Sequence, residues 1–159
     1  MTLAYVALGA NIGDPRRQLL AAFDDLDRLP GTRVRARSSL YRSAPAGYAD
    51  QPDFLNAVAE LDTALEPEAL LAALQEIEAR HGRERSFRNA PRTLDLDLLL
   101  YGDRAAASER LTLPHPRMHD RSFVLQPLAE IAPDVDVPGR GPARALLEAV
   151  PGPRAERLA

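Results

Sequence analysis

The sequence predicts an α+β fold in which strands and helices follow the order β-α-β-β-α-β. Apolar and polar residues alternate with the period of half-buried strands in residues 2–9, 54–61 and 93–101. Residues 34–43, which contain serines and β-branched or aromatic residues among arginines, also predict a strand. Leucines recur at helical spacing in two further segments, residues 16–29 and 67–81. This order is that of the ferredoxin-like fold, so we expect an antiparallel sheet with both helices packed on one face.

Capping and turn-forming residues mark where these elements begin and end. Asp14 and Pro15 suit the N-cap and the first position of the first helix, and a Pro-Gly pair at residues 30–31 ends it. The two long loops differ in chemistry, because residues 44–52 are rich in Pro, Gly and Ala whereas residues 82–91 are rich in arginine. Both loops are candidates to close over a ligand and exclude water.

A C-terminal extension follows the fourth strand. It contains a loop with His115, a short helix over residues 123–131 and a final helix over residues 143–150. The sequence shows no internal repeat and no interdomain linker, and 159 residues suffice for one hydrophobic core. We therefore expect a single domain over residues 1–159.

Charge and hydropathy restrict the partners of this protein. The net charge is −3, so no overall positive field favours nucleic acid. The sequence contains no apolar run of membrane-spanning length, and its first residues lack the pattern of a signal peptide. We therefore expect a cytoplasmic protein with neither nucleic acid nor membrane as a partner. We also expect a monomer that acts on small molecules.

Two residue types are missing from the sequence, and their absence excludes several chemistries. There is no cysteine, which excludes thiol nucleophiles, disulfides and cysteine metal sites. There is also no lysine, since all 20 basic residues are arginine. A Schiff-base lysine and the lysine of a phosphate-binding P-loop are therefore excluded. If the protein binds ATP, it does so with arginine and metal.

The most informative segment runs from residue 83 to residue 97. It carries four arginines and ends in two aspartates, Asp95 and Asp97, that alternate with leucines. On a strand these aspartates point to the same face, with Cα atoms roughly 6–7 Å apart. Such a pair of like charges favours a hard cation, and Mg²⁺ leaves coordination positions for phosphate oxygens. The arginines are suited to clamp those phosphates: Arg83, Arg85, Arg88 and Arg92.

Several of the candidate residues also have purely structural explanations. The aspartate pair is typical of a strand with a solvated face, and Glu78 of an exposed helix charge. Phe54 and Phe123 fit a hydrophobic core as well as a pair of rings around a flat ligand. His115 lies between two prolines and fits an ordinary loop histidine. A zinc site shared with His119 lacks a third ligand at a fitting spacing.

Four blocks of sequence resemble the hydroxymethyldihydropterin pyrophosphokinases of the folate pathway. The blocks are AYVALGAN at residues 4–11, SLYRS at 39–43 with QPDFLNA at 51–57, GRER at 82–85 with PRTLDLD at 91–97, and LPHPRM at 113–118 with RSFV at 121–124. They follow the order seen in that family. The resemblance implies a ferredoxin-like fold and the transfer of the β,γ-diphosphate of ATP to the hydroxymethyl group of a reduced pterin, with release of AMP.

The resemblance also implies roles for individual residues. Arg83 and Arg92 match the family's catalytic, phosphate-clamping arginines, and Asp95 and Asp97 match its ligands for two Mg²⁺ ions. A further set would bind ATP: Gln75, Glu78, Arg85, Arg88, Leu98, His115 and Arg121. Another set would bind the pterin: Ser43, Ala44, Pro45, Phe54, Asn56 and Phe123. Within that set, the amide of Asn56 would read the edge of the heterocycle.

Two positions depart from the family's pattern. Asn89 stands where some members have a tryptophan in the mobile loop, which affects how the loop closes. Pro116 stands where some members have a tyrosine near the nucleotide.

Other functions are compatible with the residues alone. The alternatives are a ferredoxin-like nucleic-acid-binding module, an Mg-dependent nuclease with paired aspartates, and a catalytically silent ligand-binding protein.

Overall fold

The computed structural model describes residues 1–44, 51–82, 94–151 and 154–158. The first part of the chain forms β1 (Thr2–Ala10), α1 (Pro15–Asp27), β2 (Thr32–Arg37), β3 (Tyr41–Ser43), β4 (Phe54–Thr63), α2 (Pro67–Arg80) and β5 (Asp95–Tyr101). The extension forms β6 (Ala106–Ala107), β7 (Thr112–Leu113), a 3-10 helix (Met118–Asp120), α3 (Ser122–Ile131), β8 (Asp136–Val137), β9 (Gly141–Pro142), α4 (Ala143–Ala149) and β10 (Glu156–Arg157). The predicted α+β, ferredoxin-like order is confirmed.

The main sheet is antiparallel, and β1 lies between β4 and β5. Its strands follow the order β10-β3-β4-β1-β5, and β2 also pairs with β4. Gly9 of β1 lies opposite Asn56 of β4 on one side and opposite Asp95 of β5 on the other. Because directly paired residues share a face, this register brings three distant segments of the sequence to one spot on the sheet.

The two faces of the sheet bury different parts of the chain. On one face, apolar side chains of β1 such as Val6 and Leu8 pack against leucines of α1 and α2. On the other face, Tyr5 and Val58 form a buried hydrophobic cluster with residues of the extension, among them Leu128 of α3. The two helices of the βαββαβ core thus cover one face, as predicted, and the extension covers the opposite face.

The predicted strand over residues 34–43 was wrong as a single element. The structure interrupts it between β2 and β3. At the interruption Ser38 still pairs with Val58, because its backbone amide donates to the Val58 carbonyl and its hydroxyl accepts from the Val58 amide, at 3.0 and 2.8 Å. The next amide, that of Ser39, instead donates to the carboxylate of Glu130 on α3, at 2.9 Å. A partner 91 residues away therefore ends the strand.

The first helix begins as predicted and ends earlier than predicted. The Asp14 side chain accepts a hydrogen bond from the backbone amide of Arg17 at 3.2 Å, and Pro15 occupies the first helical position. Helix α1 ends at Asp27 rather than at residue 29. Gly31 follows in the left-handed region with φ of 58°, where a side chain would be strained. Among the described residues, no helix is long and apolar enough to cross a membrane.

Glu130 joins the extension to the edge of the sheet. Its carboxylate accepts a hydrogen bond from the hydroxyl of Tyr41 at 2.7 Å and lies 3.4 Å from the guanidinium of Arg157. Arg157 belongs to β10, a two-residue strand that pairs with β3. The sequence alone did not indicate this strand, since two polar residues carry no periodicity. The chain's last described segment is thereby fixed to the strand that carries Ser43.

We expect Tyr41 to make the protein's stability depend on pH in the alkaline range. Burial raises the pKa of Tyr41 to about 12, and the hydrogen bond to Glu130 and its negative charge act in the same direction. The unfolded pKa is about 10, so the unfolded chain releases this proton first. The stability contributed by Tyr41 is therefore complete below about pH 10 and is lost as the pH rises towards 12.

The variant Tyr41→Phe isolates this effect, because the chain has no lysine and the other three tyrosines are the same in both proteins. The free energy of unfolding, measured in urea at several pH values from 8 to 12, should fall less steeply in the variant than in the parent protein. Equal slopes for the two proteins would show that Tyr41 does not retain its proton in the folded state.

Candidate active site

A cleft of about 410 Å³ lies on the face of the sheet that the extension covers, near the end of β1. Its floor is formed by Ala7 and Gly9, whose small size leaves room above the sheet. A Cβ atom added at Gly9 would lie 3.2 Å from the side-chain oxygen of Asn56. Even a methyl group at this position would therefore press on the neighbouring strand. Small residues at alternate positions of β1 are the feature that makes the cleft possible.

Asp95 and Asp97 stand on one side of this cleft. They pair with Gly9 and Ala7, respectively, so both carboxylates lie on the same face of β5, as the alternation predicted. The leucines between and beside them point to the opposite face and are buried in the core. Both aspartates are intermediate in exposure, and the Asp97 side chain is 39% exposed. The pair is therefore open to a ligand in the cleft.

His115 lies against Asp97 with a defined orientation of its ring. Its backbone amide donates to the Leu99 carbonyl at 2.9 Å, and its Nδ1 accepts from the Arg117 amide at 3.2 Å. Burial lowers the pKa of His115, and the positive charge of Arg121 lowers it further. The neutral ring then carries its proton on Nε2. This atom is 4.0 Å from Oδ1 of Asp97, a residue that lines the cleft.

A second cluster of charges lies where the 3-10 helix meets α3. Arg117, Asp120 and Arg121 all line the cleft. Arg117 forms an exposed ion pair with Asp120, with 3.5 Å between Nε and Oδ2. The guanidinium of Arg121 lies over the ring of Phe123, 5.7 Å from its centre. The same cleft is therefore lined by arginines and by the two aspartates, a combination suited to an anion bound with a cation.

Another part of the cleft is lined by apolar side chains and by one side-chain amide. Ser43, Ala44, Phe54, Asn56 and Phe123 all contact it, although they come from three separate parts of the sequence. Asn56 is buried at 7% exposure, and its Nδ2 donates to the hydroxyl of Ser43 at 2.8 Å. This bond fixes which way the amide points. The structure thus brings together all of the predicted pterin residues that it describes.

Among the described residues implied to bind nucleotide, Arg121 lines the cleft, whereas His115, Leu98, Gln75 and Glu78 do not. The side chain of Leu98 is buried in the core on the opposite face, so only its backbone can reach a ligand. Gln75 is exposed on α2. Glu78 is only 4% exposed and accepts a hydrogen bond from the Leu96 amide at 2.8 Å, so its interpretation as an exposed helix charge was wrong. Their contacts with a nucleotide stay predictions.

Some predicted site residues lie outside the described residues. These are the four arginines of the loop, Arg83, Arg85, Arg88 and Arg92, together with Pro45 and Asn89. Their roles stay predictions. Among the described residues there is no cluster of three or more His, Cys, Asp or Glu side chains that would hold a metal by itself. A metal bound by Asp95 and Asp97 would need further oxygen ligands, such as phosphate or water.

A second cavity of about 690 Å³ lies beside the first, between the β6–β7 hairpin and the turn that precedes β9. Its walls include Thr112, His115 and Arg140. His115 thus contacts both Asp97 and this second cavity. Sequence reasoning did not identify Arg140, or the cleft residues Arg117 and Asp120. The signal available for the cleft floor was the pair of small residues, Ala7 and Gly9, at alternate positions in a strand.

Comparisons with known proteins agree with this arrangement. A family model described as 7,8-dihydro-6-hydroxymethylpterin-pyrophosphokinase (HPPK) matches residues 5–133. A 2-amino-4-hydroxy-6-hydroxymethyldihydropteridine pyrophosphokinase from Pseudomonas aeruginosa is 53% identical over 97% of this chain and 95% of its own length. The enzyme of the same name from Haemophilus influenzae is 50% identical over 87% of this chain and 86% of its own length.

Solved structures add support for the fold. A crystal structure of HPPK-DHPS from Plasmodium falciparum superposes with a TM-score of 0.73 over 92% of this chain, at 14% identity. The present chain spans 42% of that longer chain, and at 14% identity the likeness concerns the fold alone. Together, the family model and the two bacterial relatives show that this chain belongs to the 7,8-dihydro-6-hydroxymethylpterin-pyrophosphokinase family and is a pyrophosphokinase of folate biosynthesis.

Proposed function

We propose that the cleft aligns ATP and 6-hydroxymethyl-7,8-dihydropterin for one diphosphate transfer. The pterin hydroxymethyl oxygen attacks the β-phosphorus of ATP. The bond from that phosphorus to the α,β-bridging oxygen breaks, AMP leaves with this oxygen, and the hydroxyl proton is released. The observation that carries the proposal is the register in which Asn56, Gly9 and Asp95 are neighbours on one face. It supports placing a pterin site beside a phosphate site.

The pterin would occupy the apolar end of the cleft. Phe54 and Phe123 line this end and offer aromatic surface to a flat ring. The amide of Asn56 is held by Ser43, so its oxygen and its second N–H are fixed in direction. A pterin edge that presents both donors and acceptors suits such an amide. Ala44 completes the wall, and Pro45 is proposed to extend it.

Asp95 and Asp97 would hold two Mg²⁺ ions. Their chemistry fits this metal, because both are carboxylates on one face, beside a cleft with room for phosphate and water oxygens. When bound, Mg²⁺ neutralises phosphate charge and orients the transferred group. Arg83 and Arg92 would stabilise the charge on that group and on the leaving AMP. Arg85, Arg88 and Arg121 would bind the remaining phosphate charge.

The nucleoside of ATP would extend from the aspartates towards the second cavity. His115 supports this placement, since it lines that cavity and its Nε2 lies 4.0 Å from Asp97 Oδ1. Gln75 and the backbone of Leu98 are proposed to contribute from the side of β5. The setting proposed for this reaction is a single-domain, cytoplasmic monomer over residues 1–159. The two core clusters on opposite faces of one sheet support the single domain.

Incubation with ATP, Mg²⁺ and 6-hydroxymethyl-7,8-dihydropterin tests the function directly. Chromatography and ³¹P NMR should show AMP and the pterin diphosphate forming in equal amounts, and no product without Mg²⁺. Formation of ADP, or of AMP in the absence of pterin, would contradict diphosphate transfer. Parallel incubations with single-stranded RNA and DNA test the alternative of a nucleic-acid-binding module or nuclease, and we expect neither binding nor cleavage.

The variant Asn56→Ala tests the pterin site. Without the amide, the edge of the pterin ring loses its hydrogen bonds to residue 56, while the phosphate side of the cleft is unchanged. We expect the KM for pterin to rise by about a hundredfold or more, as in sites built to hydrogen-bond a substrate, with the KM for ATP changed by less than about threefold. Steady-state kinetics with each substrate varied in turn measures both constants. An unchanged pterin KM would remove Asn56 from the site.

A further inference from the structure

We propose that Glu78 is a positioning residue that fixes the Asp95-Leu96-Asp97 segment from the outer edge of β5. Its Oε2 accepts a hydrogen bond from the backbone amide of Leu96 at 2.8 Å. Leu96 is the residue between the two aspartates, and its side chain is buried in the core. The inference rests on the proposed function in one respect, namely that the two aspartates hold the metal.

The location of β5 explains why such a partner is needed. In the described part of the sheet, β5 is an edge strand with β1 on one side. The amides of an edge strand that point away from the sheet need a partner from elsewhere. Glu78 supplies one from α2, a helix whose residues Leu74 and Ile77 are fully buried against the core. The acceptor is therefore mounted on a rigid element rather than on a loop.

The burial of Glu78 supports the proposal that its carboxylate serves to hold the backbone of β5. A carboxylate at 4% exposure is costly to bury unless hydrogen bonds compensate. Hydrogen bonds to an ionised acceptor are the stronger kind. The bond to Leu96 fixes the plane of the Asp95–Leu96 peptide, and through it the path of the strand from which both aspartate side chains extend. Residues that orient metal ligands in this way contribute about 10–100-fold to metal affinity or activity.

Two substitutions separate this role from a role as a charge that contacts nucleotide. Glu78→Gln removes the charge but keeps an oxygen that can reach the Leu96 amide. Glu78→Asp keeps the charge but withdraws the oxygen by one methylene. Glu76→Gln is the matched control, because Glu76 is an exposed residue on the same helix and undergoes the same change of charge. Glu78→Met, which has similar volume and no acceptor oxygen, replaces the Asp variant if that variant does not fold.

The first readout is hydrogen exchange of the Leu96 amide, followed by NMR in the enzyme without substrates. We expect Glu78→Gln and Glu76→Gln to retain most of the parent's protection at Leu96. We expect Glu78→Asp, or Glu78→Met, to exchange there at least about tenfold faster, with amides in the centre of β1 unchanged. This measurement does not require turnover, so it stands even if the proposed reaction fails.

The second readout is the Mg²⁺ concentration that gives half-maximal turnover. It should rise about 10–100-fold in Glu78→Asp and by less than about threefold in Glu78→Gln. Unchanged Leu96 exchange in Glu78→Asp would overturn the proposal. So would the reverse order, in which Glu78→Gln is more impaired than Glu78→Asp and the loss lies in the KM for ATP. That result would assign Glu78 to nucleotide binding.

Discussion

Replacing Asp97 with asparagine should abolish diphosphate transfer while the protein remains folded. Asparagine has nearly the same shape as aspartate, but its neutral oxygen is a poor ligand for Mg²⁺. Asp97 is one of only two acidic side chains on this face of β5, and it lies beside His115 at the cleft. We expect kcat to fall by at least about a thousandfold, the upper range for loss of one electrostatic contact in a reaction of this kind.

The control for this prediction is Asp103→Asn. Asp103 is exposed in the turn that follows β5, so the variant makes the same change of charge outside the cleft. Its kcat should stay within about twofold of the parent enzyme. Quench-flow or chromatographic measurement of AMP gives kcat, and circular dichroism with thermal unfolding checks the fold. Near-normal, Mg²⁺-dependent production of AMP by Asp97→Asn would remove Asp97 from the metal site.

The side of the strand on which the aspartates lie could be predicted from the sequence, because it depends only on local alternation. Leu94, Leu96 and Leu98 mark the buried face of the strand, and residues between them must point the other way. The same reasoning identified α1 through its capping residue Asp14 and its leucine spacing. Features set by a few neighbouring residues were therefore predicted well.

The cleft itself depends on pairing between distant segments, which no local pattern specifies. That Gly9 lies between Asn56 and Asp95 follows from the order of strands in the sheet and from their register. The resemblance to a known family indicated that Asn56 and Asp95 serve one site, but not which residues form the floor between them. Arg117 and Asp120 were missed for the same reason, since their approach to the cleft depends on the path of the extension.

Buried polar contacts were the least predictable part of the structure. Glu78 and Glu130 are both helical glutamates, and by composition alone either would be assigned to solvent. In the structure, the Glu78 carboxylate accepts a hydrogen bond from the backbone amide of Leu96 in β5. The Glu130 carboxylate accepts one from the backbone amide of Ser39, between β2 and β3. Each stabilises a backbone amide that the sheet leaves without a strand partner. Such partners lie 18 and 91 residues away, so sequence spacing cannot reveal them.

Arg92→Ala is expected to have the second largest effect, and it tests the basic loop, which lies outside the described residues. Arg92 lies three residues before Asp95, so a short segment joins it to the strand that carries the proposed metal ligands. In the proposed reaction it stabilises the charge that grows on the transferred group. We expect kcat to fall by at least about a hundredfold, the scale of losing one such contact.

The pattern of kinetic constants decides what Arg92 does. An interaction made only in the transition state lowers kcat and kcat/KM together, and it leaves the KM for pterin within about threefold. Arg104→Ala is the matched control, because Arg104 is half-exposed and pairs with Glu66 away from the cleft, at 3.7 Å. Its constants should match those of the parent. A change in Arg92→Ala confined to the pterin KM would place Arg92 at the pterin end of the cleft. The phosphate charge would then have to be stabilised by the other loop arginines and Arg121.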